Sequence, residues 1–282
     1  MPRIAIDDLD DPRLAIYRHL KATNETRGGE TFVVEGEKLV HRLLASRFPV
    51  DSVLVTDRYE GHHAPVVPDA VPFYVIPHGA IEALVGYHFH RGVLACGRRR
   101  AWPDLESTLR GLGPSACVVA CPVLDKPDNL GAILRIGHAF GVDAFLVGGA
   151  CPDPLARRVI RVSMGSALAL PAYVEADLIG AVGRLRRDHG FAVVAADAHA
   201  DAEPIGRVAR PDRLALVLGG EAFGLGPDWL ALADRRATIP MRPGADSLNV
   251  AVAAGIFLHH FTEVDREPDE SEKFRFGLDR AP

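Results

Sequence analysis

The chain lacks the short motifs that mark the commonest nucleotide, metal and hydrolase sites. No GxGxxG follows the first strand of its second half and no GxxxxGK[ST] occurs, so a standard dinucleotide or P-loop site is not expected. There is also no His-x-x-x-His pair and no GxSxG. The histidine pairs have no carboxylate or cysteine at ligand spacing, so no metal site is expected.

Cysteine and long apolar runs are scarce as well. The four cysteines form no CxxC pair, which favours reduced thiols and a cytoplasmic location. Cys121 ends a strand and is interpreted as a small buried hydrophobic residue. No apolar run reaches the ~18 residues of a membrane span, and residues 1–8 lack the apolar region of a secretory signal.

Positive charge is not in excess, because the formal net charge is -5. A nucleic-acid-binding protein is usually basic, so the total argues against an RNA substrate. The charge is uneven, however: arginines cluster at 98–100, 157–161 and 184–187, and the segment 263–272 is acidic. Local patches set phosphate attraction. Each cluster taken alone is equally compatible with an ordinary solvated surface.

The pattern of strands and helices predicts an α/β protein with two units. Short strands alternate with helices in an N-terminal unit, residues 1–97, and residues 98–114 form a linker. In the C-terminal unit, residues 115–262, continuous apolar strands alternate with helices, which favours a parallel sheet covered on both faces. The charged tail, residues 263–282, is expected to be frayed. In the C-terminal unit, helices are predicted at 128–140, 153–161, 177–188, 227–233 and 248–261.

Three stretches carry more polar groups than plain turns need. The first, motif one, runs from Asn129 to Arg135, after the strand that ends near Cys121. Asp128 is a candidate N-cap, and Asn129 would lie at the N-terminus of the helix, where free N–H groups favour an anion. Arg135 lies ~9 Å further along the helix, and its side chain can lean back toward the N-terminus. The alternative is a capped helix with one surface arginine.

The other two stretches follow later strands. Motif two, residues 219–225, places Glu221 after two glycines at the carboxyl end of an apolar strand, the edge where open α/β sheets bind ligands. Motif three, residues 239–251, contains Ser247 and Asn249 on either side of Leu248. One of these two polar residues could simply cap the last helix, and Glu221 could lie in an exposed glycine turn.

In order and spacing, the three motifs resemble those of the SpoU (TrmH-like) RNA ribose 2'-O-methyltransferases. The resemblance covers residues 115–260, and the N-terminal unit resembles, less specifically, the substrate-binding domain that often precedes this catalytic domain. It implies a C-terminal parallel-sheet domain with a deep trefoil knot, a fold that general topology rules would not suggest. It further implies a homodimer whose RNA-binding site is shared between the subunits. The implied substrate is rRNA or tRNA.

The resemblance also implies S-adenosylmethionine as the methyl donor. Its expected contacts are Leu218, Gly219, Gly220, Ile239, Met241 and Leu248. The expected catalytic residues are Arg135, Asn129, Glu221, Ser247 and Asn249. Arg135 would either lose a proton in a special environment or stay cationic and stabilise developing negative charge, and the high pKa of a guanidinium favours the second role.

One position departs from the family pattern. Ala222 stands where the family usually has glycine after the motif-two glutamate, and a positive φ there would cost about 1 kcal/mol. Ala222 leaves open a catalytically silent RNA-binding protein on the same scaffold. An unrelated α/β enzyme that uses another nucleotide is the third hypothesis, but the chain has no phosphate loop to support it.

Overall fold

The computed structural model describes residues 3–20, 29–89, 92–199, 201–220, 224–245 and 247–262. Over these ranges the strands form two sheets, one of five strands and one of seven. The N-terminal unit contains, in chain order, β1 (Arg3–Ala5), β2 (Thr31–Glu35), α1 (Glu37–Leu44), β3 (Val50–Thr56), α2 (Glu60–His63), β4 (Phe73–Ile76), α3 (Ile81–Val85) and β5 (Val93–Arg98). The segment that follows holds α4 (Leu105–Gly111).

The five-stranded sheet is mixed, with strand order β1-β4-β3-β5-β2. Strands β1, β4 and β3 are parallel, whereas β5 runs antiparallel to both β3 and β2. The sequence pattern predicted four of these strands and missed β1. A three-residue edge strand is too short to give a periodic signal.

The C-terminal unit alternates strands and helices around a parallel sheet. Its elements are β6 (Ala116–Cys121), α5 (Pro127–Ala139), β7 (Ala144–Gly148), α6 (Arg157–Val162), β8 (Ala172–Glu175), α7 (Leu178–His189), β9 (Ala192–Ala196), β10 (Glu203–Pro204), β11 (Arg213–Leu218), α8 (Pro227–Leu232), β12 (Arg235–Thr238) and α9 (Val250–Phe261). The strand order is β10-β12-β9-β11-β6-β7-β8, and every pair is parallel. The predicted α/β class is confirmed, and the trefoil knot stays a prediction.

Alternating side chains of the central strands face two different helix layers. In β6, Cys117, Val119 and Cys121 pack in a core cluster with residues of α5, α6 and α9. The alternate residues of the same strand, Ala116, Val118 and Ala120, pack in a second cluster with residues of α4 and α7. Both faces are therefore buried, which explains why these strands are apolar throughout.

The core of the C-terminal unit continues into the N-terminal unit. Phe32 and Val34 of β2 belong to the same buried cluster as Val159 and Ile160 of α6. The close packing of β2 and α6 joins the two units through apolar contacts.

Two predicted helix starts are wrong. Asp128 does not cap α5, because the helix begins at Pro127 with Lys126 at the N-cap and no side-chain cap bond. Proline suits the first helical position, since its missing N–H would have no partner there. The helix predicted from residue 153 begins at Arg157, because Asp153 instead closes a turn by accepting the backbone N–H of Leu155 at 3.0 Å.

Candidate active site

A cavity of about 360 Å³ opens at the carboxyl ends of three neighbouring strands, β9, β11 and β12. This is the edge at which parallel α/β sheets bind ligands. All six residues expected to contact the cofactor line the cavity: Leu218, Gly219, Gly220, Ile239, Met241 and Leu248. Ser247 lines it too. Motifs two and three therefore share one concave site.

The motif-two loop is closed by a tight backbone turn. Gly224 donates its N–H to the carbonyl oxygen of Gly220 at 3.1 Å, and the two residues form an antiparallel bridge. A Cβ on Gly219 would lie 2.6 Å from the carbonyl carbon of Gly224 and 2.9 Å from the nitrogen of Leu225. Glycine is required at 219 because two backbone segments approach each other there. Glu221 and Ala222 lie outside the described residues.

Motif three supplies both a wall of the cavity and the cap of the last helix. Asn249 is the N-cap of α9, and its Oδ1 accepts the N–H groups of Ala251 at 2.9 Å and Val252 at 3.3 Å. Of the two candidate caps, Asn249 therefore fills the position, and Ser247 remains beside the cavity.

Motif one is tied to motif three through two amides. Asn249 donates from Nδ2 to Oδ1 of Asn129 at 3.1 Å, across 120 positions of sequence. Asn129 is 7% exposed and lies in the first turn of α5. The contact brings together two of the expected catalytic residues.

Arg135 is placed differently from the sequence expectation. It is exposed on α5 and does not line the cavity. Its neighbour Ile136 faces Gly255 of α9, where an added Cβ would lie 3.8 Å from the Ile136 side chain. Arg135 therefore lies on a helix that packs against α9, outside the cavity of its own chain, and its catalytic role stays a prediction.

Two ionisable residues that sequence reasoning missed, Asp197 and His199, also line the cavity. Asp197 is nearly buried after β9 and accepts hydrogen bonds from the backbone N–H of His199 at 3.1 Å and from Nε of Arg236 at 2.8 Å. Burial alone would raise the pKa of Asp197, but the bonds from His199 and Arg236 outweigh it and lower the pKa. The only available signal was position, because Asp197 follows a predicted strand at the ligand-binding edge.

A model of the SpoU rRNA Methylase family matches residues 116–259, which include all three motifs. An uncharacterized tRNA/rRNA methyltransferase of Mycobacterium bovis is 35% identical over 267 residues, which cover 90% of this chain and 90% of that protein. The chain belongs to the SpoU rRNA methylase family. Another similar protein is the 23S rRNA (guanosine(2553)-2'-O)-methyltransferase RlmP of Bacillus subtilis, 26% identical over 90% of this chain and 98% of its own length.

Solved structures of this family share the fold. The crystal structure of an AdoMet-bound rRNA methyltransferase from Sinorhizobium meliloti has a TM-score of 0.77 and 25% identity, and the match covers 92% of this chain and 97% of that one. A structure of an RNA 2'-O ribose methyltransferase has a TM-score of 0.74 and 26% identity, covering 92% of this chain and 98% of its own.

The basic clusters of this SpoU-family chain are largely neutralised by carboxylates. Arg157 and Arg161 both contact Glu35, and Arg158 contacts Asp128. Ion pairs also join Arg98 to Asp51, Arg99 to Asp153 and Arg186 to Asp234. The arginines of the cluster at 157–161 are therefore all held by ion pairs within the chain.

The cysteines of this family member are buried thiols. Cys121 is fully buried, and burial raises its pKa, so its interpretation as a small hydrophobic residue is confirmed. Over the described part of the chain, no helix is both long and apolar enough to cross a membrane.

Proposed function

We propose that this protein transfers a methyl group from S-adenosylmethionine to a ribose 2'-hydroxyl of rRNA or tRNA. The observation that carries the proposal is the cavity at the ends of β9, β11 and β12, which motifs two and three line together. Family membership and the 2'-O-methyltransferases among the relatives point to the same chemistry.

The residues present fit this methyl donor. A volume of about 360 Å³ lies within the usual range of small-molecule pockets, about 300–1,000 Å³. Leu218, Ile239 and Leu248 offer apolar walls, and the turn held by Gly219 and Gly220 offers backbone groups at close range. When bound, S-adenosylmethionine supplies an electrophilic methyl group on a sulfonium.

The chain's polar residues would serve the hydroxyl that attacks. As the neutral 2'-hydroxyl takes the methyl group from the sulfonium, which becomes a thioether, it releases its proton to water. Its oxygen gains negative charge on the way, so a fixed cation nearby lowers the barrier. Arg135 fills this role best as a permanent cation, because a guanidinium group stays protonated in proteins. Asn129 would position Arg135 or the ribose, and Glu221 would orient Arg135 or a partner amide. Ser247 and Asn249 would hold the motif-three loop and the phosphate.

A homodimer would bring Arg135 to a cavity. An exposed apolar stripe on α9 consists of Val252 and Ile256, which lie one helical turn apart with exposures of 52% and 38%. Exposed apolar stripes of this kind mark protein interfaces. Arg135 lies on α5, which packs against α9, so a partner seated on the stripe could present its cavity to this arginine.

The units would divide the work. The N-terminal unit, residues 1–97, would select the RNA, the linker 98–114 would connect it, and the knotted unit, residues 115–262, would carry out methyl transfer. The tail, residues 263–282, lies outside the described residues. All four cysteines are free, buried thiols, which suits a protein of the cytoplasm.

Mapping of 2'-O-methylated riboses tests the proposal. Total rRNA and tRNA from cells with and without the protein should differ at one or a few positions, and purified protein with S-adenosylmethionine should restore methylation there. Titration calorimetry with S-adenosylmethionine separates the alternatives. No binding would favour the catalytically silent RNA-binding protein.

A further inference from the structure

A buried carboxylate of the N-terminal unit holds two arginines of the C-terminal unit. Glu35, at the end of β2, is 2% exposed and contacts Arg157 and Arg161 of α6, the latter at 3.1 Å. Tyr87 also donates its hydroxyl to Glu35 at 2.7 Å. All these contacts join residues that are more than 50 positions apart, so Glu35 connects segments that are distant in sequence.

Arg157 is fixed on several sides at once. It donates to the hydroxyl of Tyr87 at 3.0 Å and to the carbonyl oxygen of Leu20 at 3.0 Å, and its guanidinium lies 5.0 Å from the centre of the Tyr87 ring. Its side chain is only 12% exposed. A charged group held by this many partners leaves α6 little freedom relative to the N-terminal unit.

The helix α6 is in turn locked to α5, the helix of motif one. A Cβ on Gly131 of α5 would lie 2.8 Å from Cβ of Val162 and 3.0 Å from the carbonyl oxygen of Val159, so the two helices touch at this glycine. Arg158 of α6 also donates from Nε to Asp128 at 3.0 Å. Asp128 immediately precedes Asn129 in the first turn of α5.

These contacts form one continuous path. It leads from Glu35 through Arg157 and Arg161 to α6, then through Arg158 and Asp128 to the start of α5. There Asn129 accepts the hydrogen bond of Asn249, the cap of the motif-three helix. A rigid element at each step is what physical coupling between distant sites requires.

We propose that Glu35 is a positioning residue for methyl transfer: by clamping α6, it fixes the first turn of α5 and so the placement of Asn129 and Arg135. The inference rests on the function proposed above. It assigns to the N-terminal unit a second task besides RNA selection, because an RNA that shifts this unit would act on motif one through the clamp.

Glu35→Gln tests the clamp in the full-length chain. We expect kcat to fall at least about tenfold, since small displacements of positioned groups reduce rates up to about 100-fold. The cavity itself is unchanged, so the Kd of S-adenosylmethionine should stay within about twofold of wild type. Hydrogen exchange of the backbone amides in residues 127–135 should become faster, because the start of α5 opens more often.

Glu60→Gln is the matched control. Glu60 pairs with Arg3 within the N-terminal unit, in a contact whose side chains are 25% and 54% exposed, so this variant removes a carboxylate without touching α6. It should leave kcat and hydrogen exchange in residues 127–135 unchanged.

Asp128→Asn breaks only the exposed link between α6 and α5. It should reproduce the faster exchange and part of the loss in kcat. If Glu35→Gln does not fold, this second variant decides the question.

Each outcome has one meaning. If folded Glu35→Gln, or Asp128→Asn in its place, matches Glu60→Gln in kcat and in exchange at 127–135, Glu35 is merely structural and the proposal is wrong, whatever the melting temperature. If the wild-type chain methylates no RNA, the proposed function fails instead, and the exchange measurement still reports on the clamp.

Discussion

Asn249 bonds to Asn129 and to its own helix with different atoms of one amide. Its Oδ1 accepts two backbone N–H groups at the start of α9, and its Nδ2 donates to Asn129. The cap fixes the direction of the amide, since only the oxygen can accept from the backbone. The same residue therefore sets where α9 begins and how motif one meets motif three.

Substitution of Asn249 separates these two tasks. Asn249→Ser keeps a side-chain oxygen that can cap α9 but is too short to reach Asn129, so stability should stay within about 0.5 kcal/mol of wild type while turnover falls at least about tenfold. Asn249→Ala loses both contacts and should also lose about 1 kcal/mol of unfolding free energy. Urea unfolding and initial rates measure the two effects. Equal rates for Asn249→Ser and wild type would remove the amide contact from catalysis.

Gly219 should be essential for cofactor binding. A methyl group at this position would collide with the backbone of Gly224 and Leu225, which cannot move without opening the motif-two turn. Gly219→Ala should weaken binding of S-adenosylmethionine at least about tenfold, the equivalent of about 1.4 kcal/mol. Gly226→Ala is the control, because a Cβ there meets no atom within 4 Å. Calorimetric titration of both variants gives the comparison, and equal affinities would place the cofactor elsewhere.

Sequence patterns predicted the C-terminal unit well because its strands are buried on both faces. The apolar runs of β6, β7 and β11 were predicted as strands, and they are strands in the structure. The polar loops after β11 and β12 indicated the edge of the sheet at which the cavity lies. Strand order and direction, as in the antiparallel β5, depend on pairing between distant segments and leave no local trace.

Two of the errors share a cause, because they concern partners far away in sequence. Asp128 has the composition of an N-cap, yet its carboxylate pairs with Arg158, 30 positions later. Arg157 and Arg161 read as a basic surface, and their partner Glu35 lies more than 120 positions earlier. Local composition cannot identify a charge partner that only tertiary folding supplies.

Arg135 should matter for the rate and not for cofactor affinity. It lies outside the cavity of its own chain, so Arg135→Ala should bind S-adenosylmethionine as wild type does. Loss of a charge-stabilising group should lower the single-turnover rate at least about 100-fold. Arg110→Ala, an exposed helical arginine of α4, is the control. Normal methylation by Arg135→Ala would exclude this arginine from the mechanism.

Mixing two variants would test whether Arg135 serves the cavity of its own chain or that of a partner. If the site is shared between subunits, an equimolar mixture of Arg135→Ala and Gly219→Ala chains forms one intact site in each mixed dimer. Random pairing then restores about a quarter of wild-type activity, because half of the dimers are mixed and each has one of two sites. Activity no greater than that of the separate variants would mean that arginine and cavity act within one chain.

The apolar stripe on α9 should hold the dimer together. Val252→Glu places a charge on the most exposed residue of the stripe, and burying it against a partner would be strongly unfavourable. We expect light scattering after size-exclusion chromatography to show monomers, with methyl transfer lost. Ile179→Glu is the control, because it places the same charge on an exposed aliphatic residue of α7. This variant should stay dimeric, since α7 covers the other face of the sheet. Dimers of both variants would place the interface elsewhere.

Glu35 should stabilise the fold at neutral pH, where its carboxyl group is ionised, and should lose this effect in acid. Burial raises its pKa, but hydrogen bonds from Tyr87, Arg157 and Arg161 outweigh burial and lower the pKa below its usual value. A carboxylate with a lowered pKa contributes stability above its unfolded pKa, about 4.3, and loses it as the pH falls through the folded value. Glu35→Gln should therefore reduce the unfolding free energy by about 3 kcal/mol at pH 7, and the difference from wild type should shrink as the pH falls below about 4. Urea unfolding of both proteins between pH 7 and about pH 3 measures this. A difference that stays constant with pH would assign the effect of Glu35 to shape and packing, not to charge.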